Sequence, residues 1–376
     1  MIVVIGAGLI GLGIAYELAR RGATVRVIDE REPGRAASWA GAGMLAPYTE
    51  GIESPAYAEF CASSLRAFPD FVAALREDGG VDARLRLEGI LEAAYDDAGA
   101  SALRNEAAAL AARGVAVRWL ERDEARMLEP ALGAGVRGAS LSESEGQVDN
   151  RRLGRALHAA CEARGVRVDG GAGRVAVEAN ARRVLGVRGP GGFIGADAVI
   201  NATGAWASEL EGVPERARVD VRPVKGQMLA LAMPRGLVRR VLWVPGAYVV
   251  PREDGRVLIG ATVEDAGFDV RVTAAGIRGL LGAALEALPS LGALALAETW
   301  AGLRPGSPDG LPFIGATAID GYLVATGHHR NGILLAPATA LAIADILEGR
   351  GAPELAAFSP QRGALRAQDV PERVAN

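Results

Sequence analysis

Two kinds of periodicity divide this chain. Residues 2–5 form a short apolar, β-branched run, which is typical of a buried parallel strand. Leu12, Ala15 and Leu18 then recur at helical spacing, and a second apolar segment occupies residues 24–28. This order of strand, helix and strand predicts a βαβ unit at the N-terminus.

The same two patterns organise the rest of the chain. Helical patterns occur at residues 55–78, 97–113, 148–164 and 273–288. Between residues 218 and 263, short β-rich segments alternate with turns that contain Pro and Gly, which indicates an antiparallel meander. Buried strands are expected near residues 196–202 and 321–325, and a glycine-rich turn leads from the second of them to a helix that begins at residue 333.

The domain organisation follows from the distances between these elements along the chain. A chain of 376 residues is longer than one ordinary core is expected to fill. We predict an α/β fold combined with antiparallel β structure, in which a Rossmann-like dinucleotide-binding domain carries an inserted, mainly antiparallel β substrate domain. The first domain is predicted to be discontinuous and to comprise residues 1–80, 140–210 and 305–350. The substrate domain comprises residues 81–139 and 211–304, and residues 351–376 form a partly loose tail.

Composition excludes several classes of function. Hydrophobic residues make up 50% of the chain and charged residues 23%, as in soluble globular proteins, and no apolar run reaches the length of a membrane span. A net charge of −4 without a basic block argues against nucleic acid as a partner. Two cysteines and three histidines are too few for a disulfide framework or a zinc site, so we expect no metal. We expect a cytoplasmic protein without a membrane partner.

The segment GAGLIG, residues 6–11, lies between the first strand and the first helix. Glycines at this position let the backbone approach a pyrophosphate group at the positively charged N-terminus of a helix. Asp29 follows Gly6 by 23 residues, at the end of the second strand, where a carboxylate can accept a hydrogen bond from a ribose hydroxyl. A carboxylate there would repel the 2′-phosphate of NADP. The motif does not separate NAD from FAD.

A second run of small residues, SWAGAGMLAP at positions 38–47, favours FAD. Small residues let backbone N–H groups approach a flat ring, although an ordinary flexible loop would have the same composition. Glycine turns at residues 202–204 and 326–332 also follow predicted strands, and several such turns around one crevice suit a long dinucleotide. The helix after the last turn would stabilise negative charge on a reduced flavin. An alternative interpretation is that His328 and His329 are simply exposed polar residues of that turn.

The segment AGLRPGSPDGLP places Arg304 in a stiff turn beside apolar residues. A planar guanidinium can hold a carboxylate at two points, so Arg304 is a candidate anion-binding residue. A structural ion pair with Asp309 is the alternative that the residues alone leave open.

Four segments together, SWAGAGMLAP, PVKGQM, WAGLRPGSPDGLPFIG and GHHRNGILLAPATA, resemble the glycine oxidases, the thiamine-biosynthesis branch of the D-amino-acid oxidase family of flavoproteins. The resemblance covers residues 1–350. Sarcosine oxidases and D-amino acid dehydrogenases share the fold and the first motif. Cys61 and Cys161 lie outside the covalent attachment motif of this family, so the resemblance implies non-covalent FAD.

The resemblance also implies roles for individual residues. Arg304 and Tyr248 would bind the substrate carboxylate, and Arg330 and Met44 would lie near the flavin and the substrate. A histidine that relatives carry two residues before this tyrosine is Gly246 here. The residues predicted to bind FAD are Gly6, Gly8, Leu9, Ile10, Gly11, Asp29, Glu30, Ala37, Ser38, Ala42, Gly43, Met44, Arg174, Val175, Thr203, Gly204, His328, His329, Arg330, Asn331, Gly332, Ile333 and Leu334.

The implied activity is oxidative deamination of glycine, small primary or secondary amines or D-amino acids, by hydride transfer to FAD with reduction of O₂ to H₂O₂. Glycine imine would serve thiazole formation in thiamine biosynthesis, through hand-off to a thiazole synthase. The implied assembly is a homotetramer. Two alternatives stay open: an FAD-dependent D-amino acid dehydrogenase or sarcosine-oxidase-like enzyme, and a non-catalytic flavin-binding protein.

Overall fold

A computed structural model describes residues 1–351 and 353–362 of the chain. Its α-helices are α1 (Leu9–Arg20), α2 (Ala37–Ala40), α3 (Pro55–Gly79), α4 (Asp97–Ala112), α5 (Arg122–Leu128), α6 (Asn150–Ala163), α7 (Ala274–Ala287) and α8 (Ala336–Leu347). Its strands are β1 (Ile2–Ile5), β2 (Val25–Ile28), β3 (Met44–Leu45), β4 (Ile90–Ala94), β5 (Val117–Glu121), β6 (Gly138–Ser142), β7 (Gly146–Gln147), β8 (Arg167–Asp169), β9 (Ala176–Ala179), β10 (Val184–Gly189), β11 (Gly192–Gly195), β12 (Ala198–Asn201), β13 (Arg222–Ala232), β14 (Val241–Val244), β15 (Ala247–Pro251), β16 (Arg256–Gly260), β17 (Leu296–Gly306), β18 (Phe313–Ala316) and β19 (Tyr322–Thr326).

The first sheet has the strand order β18-β19-β12-β1-β2-β8. β1 pairs in parallel with β2 and β12, and β12 pairs in parallel with β19, so strands from three distant parts of the chain lie side by side. β18 pairs antiparallel to β19 at one edge. This arrangement confirms the predicted Rossmann-like fold, in which β1 is central because its apolar residues can be buried on both faces.

Two layers cover the faces of this sheet. Helices α1, α3, α6 and α8 pack together on one face around a core that includes Leu12, Leu157 and Ile343. A small antiparallel sheet, β9-β10-β11, covers the other face through Val184 and Val187. Helices α3 and α6 bury one apolar stripe and expose polar residues, whereas α1 and α8 are buried on nearly all sides.

The second sheet has the order β17-β13-β16-β15-β14-β4-β6-β5. Its neighbours are antiparallel except for β4 and β14, which are parallel. Helix α7 packs on one face through Leu280 and Ala284. The other face, with Met228 and Trp300, packs against the segment around Ala42. The small-residue segment therefore lies between the two sheets.

The structure differs from the sequence prediction in two elements. The two β segments expected on either side of residue 225 form the single strand β13, because it pairs with β17 along nearly its whole length. The helix expected from residue 333 begins at Ala336, after a 3-10 turn at His329–Asn331. Pro337 lies in the first turn of α8, where its missing N–H leaves no helical bond unmade.

The predicted domain boundaries cut two strands. β6 spans the boundary at residue 140 and β17 spans that at residue 305, yet each pairs only within the second sheet. The division into domains stays a prediction, and we propose that its boundaries follow the ends of these strands.

Part of the segment predicted as a partly loose tail, residues 353–362, is ordered and packed, and the prediction for the whole tail stays a prediction. Residues 353–358 form a 3-10 helix, and Phe358 is fully buried, with its ring centroid 5.1 Å from that of Phe60. Arg362 forms an ion pair with Asp309 at 2.7 Å. Residues 352 and 363–376 lie outside the described part. Within the described part, no helix has both the length and the apolar character needed to cross a bilayer.

Replacement of Phe358 by alanine is expected to destabilise the fold. The buried ring would leave a cavity, and such substitutions lower the free energy of unfolding by about 3–5 kcal/mol. Phe193→Ala is the matched control, because Phe193 is 47% exposed, and its effect should stay within about 0.5 kcal/mol. Urea unfolding of both FAD-loaded variants measures the difference. Equal midpoints would show that the segment does not belong to the core.

Candidate active site

A cavity of about 1130 Å³ lies between the two sheets. One end of its wall is the first βαβ turn, around Gly8 and Glu30, and the other end is the inner face of the second sheet, around Tyr248 and Arg304. The turns that follow β12 and β19 contribute the rest of the wall. The cavity thus lies outside the carboxyl ends of the parallel strands, where ligands bind in folds of this kind.

The first turn is closed tightly by its glycines. Gly6 has a φ of 108°, and a Cβ atom on Gly6 would overlap the carbonyl of Ala202. A Cβ atom on Gly11 would overlap the carbonyl oxygen of Gly6, so α1 begins very close to β1. Gly8 caps the helix without a side chain. The N-terminus of α1 can therefore bind an anionic group that lies in the cavity.

Asp29 and Glu30 have different roles at the end of β2. The Asp29 carboxylate accepts hydrogen bonds from the backbone N–H of Ala7 at 2.6 Å and of Arg31 at 2.8 Å. Burial raises the pKa of Asp29, and these two N–H groups oppose the rise. Glu30 also lines the cavity, and its carboxylate lies 3.6 Å from the guanidinium of Arg174. Asp29 thus holds the turn, and a contact of either carboxylate with a ribose hydroxyl stays a prediction.

The small-residue segment is a rigid part of the wall, so the alternative of a flexible loop is wrong. Gly43 has a φ of 71°, and a Cβ atom there would overlap the carbonyl oxygen of Val148. Buried Arg252 donates a hydrogen bond to the carbonyl of Ala42 at 2.7 Å. The indole of Trp300 donates to the carbonyl of Ala40 at 2.9 Å. The sequence prediction missed Arg252 because no local pattern connects it with a segment 210 residues earlier.

The two histidines of the last turn are neutral. His328 is buried, with its Nε2 atom 3.1 Å from the hydroxyl of Thr339, so an exposed role is wrong for this residue. Burial lowers the pKa of His328 to about 3. Burial, together with the charges of Arg304 and Arg330, lowers the pKa of His329 to about 3 as well. Neither imidazole contributes positive charge to the cavity at neutral pH.

Three predicted cofactor residues do not line the cavity. Gly11 packs against the backbone of Gly6, and Leu334 is fully buried in the core. Asn331 points to the hydroxyl of Tyr57 at 3.3 Å and to the carboxylate of Glu50 at 3.4 Å. These three residues lie behind the residues that line the cavity. All other predicted site residues line the cavity, and their contacts with a cofactor or a substrate stay predictions.

Arg304 and Tyr248 lie together at the second-sheet end of the cavity. Arg304 donates to the carbonyl oxygen of Thr262 at 3.1 Å, and its guanidinium lies over Gly226, where any Cβ atom would collide with it. Tyr248 lies over Gly260 in the same way. Burial lowers the pKa of Arg304 and is the main cause that raises the pKa of Tyr248.

The ion pair between Arg304 and Asp309, left open by the sequence, does not form. Asp309 pairs with Arg362 instead, and in residues 1–351 and 353–362 no carboxylate forms an ion pair with Arg304. Among the described residues, the hydrogen-bond partners of this largely buried guanidinium are neutral groups, namely two backbone carbonyls and Tyr248, which favours an anionic ligand.

Comparison with known proteins identifies the family. The family described as DAO, FAD dependent oxidoreductase, matches residues 1–346. The chain belongs to this family. A Pseudomonas aeruginosa protein named glycine oxidase is 36% identical to this chain over 363 residues, which cover 93% of this chain and 95% of the relative. The crystal structure of glycine oxidase from Geobacillus kaustophilus has a TM-score of 0.90 and 33% identity, with 96% of this chain and 98% of that chain covered.

Some relatives are longer than this chain. The bifunctional protein ThiO/ThiG of Synechocystis sp. is 39% identical over 371 residues, which cover 96% of this chain but 54% of the relative. The chain thus spans about half the length of these curated relatives.

The residues of the cavity wall fit FAD, the cofactor of the family. The N-terminus of α1, whose cap residue Gly8 has no side chain, suits the diphosphate, and Glu30 suits a ribose hydroxyl. The glycine-lined segment at Gly43 leaves room for a flat ring against the backbone. Cys61 and Cys161 are both buried, and neither lines the cavity. Neither thiol is therefore placed to form a covalent bond with the cofactor.

Gly43→Ala is expected to lower the FAD content of the purified protein. The new methyl group would collide with the carbonyl of Val148 and move the segment that lines the cavity. Gly22→Ala is the control: Gly22 also has a positive φ, of 88°, but no atom lies within 4 Å of the added carbon. We expect FAD affinity to fall at least about tenfold in the first variant, since repair requires a shift of backbone.

The flavin absorbance per mole of folded chain measures this difference. Full flavin content in Gly43→Ala, or an equal loss in both variants, would contradict a role for close packing at Gly43.

Proposed function

We propose that the protein oxidises glycine and small amines or D-amino acids with FAD and passes the electrons to O₂. The observation that carries the proposal is the largely buried Arg304, which has no carboxylate partner in the described residues and lies beside Tyr248 in the cavity wall. Relatives named glycine oxidase, which align over nearly their whole length, support it.

Recognition of the substrate begins with its carboxylate. The Arg304 guanidinium can bind two carboxylate oxygens at once, because its planar donors match the carboxylate geometry. The Tyr248 hydroxyl, whose raised pKa keeps it protonated, can donate a further hydrogen bond. The Arg304 side chain cannot move easily, since it is hydrogen bonded to backbone carbonyls and packed over Gly226. A small amino acid would thus be held with its Cα atom in a defined place, and positioning of this kind contributes several kcal/mol to catalysis.

When FAD is bound, it supplies the hydride acceptor for the Cα–H bond and the route by which two electrons reduce O₂ to H₂O₂. The substrate becomes an imine, which water hydrolyses to an oxo acid and ammonia. Neutral His328 and His329 add no charge, whereas Arg330 contributes a cation to the cavity wall. Gly332 and Ile333 line the cavity just before α8, whose N-terminus favours negative charge in that region.

The proposed cellular context is thiazole formation for thiamine. Relatives named bifunctional protein ThiO/ThiG support a hand-off of glycine imine to a thiazole synthase. A cytoplasmic location and a homotetramer, both expected from the sequence, belong to the same proposal.

Substrate preference within the family depends on the mouth of the cavity. Gly246 lines the cavity in the hairpin between β14 and β15, with a φ of 77°. It presents no side chain at the position where relatives carry a histidine. The proposal therefore includes small amines other than glycine among the substrates.

Arg304→Met is expected to lower the second-order rate constant for anaerobic flavin reduction by glycine about 100- to 1,000-fold, because two charge-assisted hydrogen bonds are lost. Arg304→Lys should recover only part of the activity, since a lysine cannot bind both oxygens in one plane. Arg350→Met is the control, because Arg350 lies on the surface. A variant at position 304 that retains FAD and is reduced at the wild-type rate would show that Arg304 does not bind the substrate, whereas a wild type whose flavin no amine reduces would support a non-catalytic flavin protein.

The oxidase activity itself is tested by the electron balance. Oxygen consumption with glycine should yield one H₂O₂ per O₂, measured with a peroxidase-coupled dye. Flavin that is reduced by amines but produces no peroxide in air would favour a dehydrogenase.

A further inference from the structure

A carboxylate that the sequence prediction missed lies in the cavity wall near the two arginines. Glu50 lines the cavity together with Arg304, Arg330 and Tyr248. Burial raises the pKa of the Glu50 carboxyl, and the charges of Arg330 and Arg304 oppose this rise. The same part of the cavity therefore contains two cations and one anion.

Glu50 is held firmly in this position. It lies in the turn after β3, where its backbone N–H donates to the carbonyl of Ala46 at 3.1 Å. The fully buried carboxylate of Glu145 accepts hydrogen bonds from the backbone of Tyr48 and Thr49 and thereby fixes the turn. The amide of Asn331 approaches the Glu50 carboxylate at 3.4 Å. Two separate parts of the chain thus orient this side chain toward the cavity.

The Glu50 carboxylate lacks a direct cationic partner. In the part of the chain that the structure describes, neither Arg304 nor Arg330 forms an ion pair with it. Arg330 is exposed toward the cavity, and Arg304 is hydrogen bonded to backbone carbonyls. A partly buried carboxylate with only a long amide contact is costly unless a cation or a further donor reaches it.

A zwitterionic amino acid supplies the missing partner. Its carboxylate matches the arginines, and its ammonium group, only one carbon atom away, needs an acceptor in the same small space. Of the carboxylates that line the cavity, Glu50 is one whose carboxyl interacts electrostatically with both Arg304 and Arg330.

We propose that the carboxylate of Glu50 binds the amino group of the substrate while Arg304 binds its carboxylate. Glu50 then distinguishes amino acids from simple carboxylic acids, which Arg304 alone would accept equally well. This inference rests on the proposed function, because it assumes a substrate with a carboxylate and an amine on one carbon. Glu50 could instead serve only to neutralise Arg330, and the experiment below separates the two roles.

The test compares Glu50→Gln with the wild-type holoenzyme on two ligands. Glycine carries the amine, and its Kd is obtained from the concentration dependence of anaerobic flavin reduction. Acetate lacks the amine, and its Kd is obtained from the perturbation of the flavin absorption spectrum. We expect the Kd of glycine to rise about 10- to 100-fold, from loss of a charge-assisted hydrogen bond, and the Kd of acetate to stay constant or fall.

The opposing effects on the two ligands make the result specific. If Glu50 only neutralised Arg330, loss of its charge would change the affinities of glycine and acetate in the same direction and by a similar factor. That parallel change, or an unaltered Kd for glycine, would overturn the proposal.

Two further variants serve as controls. Glu59→Gln makes the same chemical change on an exposed side chain of α3 and should leave both Kd values unchanged. Glu50→Asp retains the charge but shortens the side chain, so the preference for glycine over acetate should shrink without disappearing. If Glu50→Gln fails to retain FAD, the ratio of the two Kd values in Glu50→Asp decides, and a ratio equal to that of the wild type would count against direct contact.

Failure of the proposed function gives a different result. In that case glycine does not reduce the wild-type flavin at all, although acetate still perturbs its spectrum. The comparison is then made with whichever small amino acid does reduce the wild type.

Discussion

The buried guanidinium of Arg252 joins the two halves of this molecule. It follows the last residue of β15 in the second sheet and donates to the Ala42 carbonyl, to Asn150 at the start of α6 and to Gln147 in β7. All three acceptors are neutral. Burial lowers the pKa of Arg252 to about 10, so the side chain remains charged at neutral pH. The inner wall of the cavity depends on this cation, because it fixes the segment around Gly43 against the second sheet.

The parts of the fold that could be predicted from the sequence are those that local motifs indicate. The first βαβ unit was predicted correctly because a strand period, a glycine turn and a helix period lie next to one another within residues 2–28. Helices α3, α4, α6 and α7 were predicted within two residues of their observed bounds for a similar reason. The Rossmann-like arrangement of strands and the FAD cofactor are confirmed by the strand order and by the family match.

The remaining features depend on contacts between residues far apart in sequence. Nothing near Asp309 indicates that it pairs with Arg362 rather than Arg304, because that choice is made by the packing of the C-terminal segment. Glu50 was missed since its significance appears only when the turn after β3 meets Arg330, 280 residues later in the chain. The hydrogen bond that Asp29 accepts from the backbone N–H of Ala7 likewise could not be predicted from sequence spacing.

The position of β19 has a consequence for how the protein is made. This strand, near the C-terminus, pairs with β12, and the turn after it closes the cavity against the first βαβ unit. A chain emerging from the ribosome therefore exposes a glycine-rich half-site for hundreds of residues before the cavity is complete. The complete cavity wall forms only when β19 is inserted beside β12, so we expect FAD binding to be a late step that stabilises the finished fold.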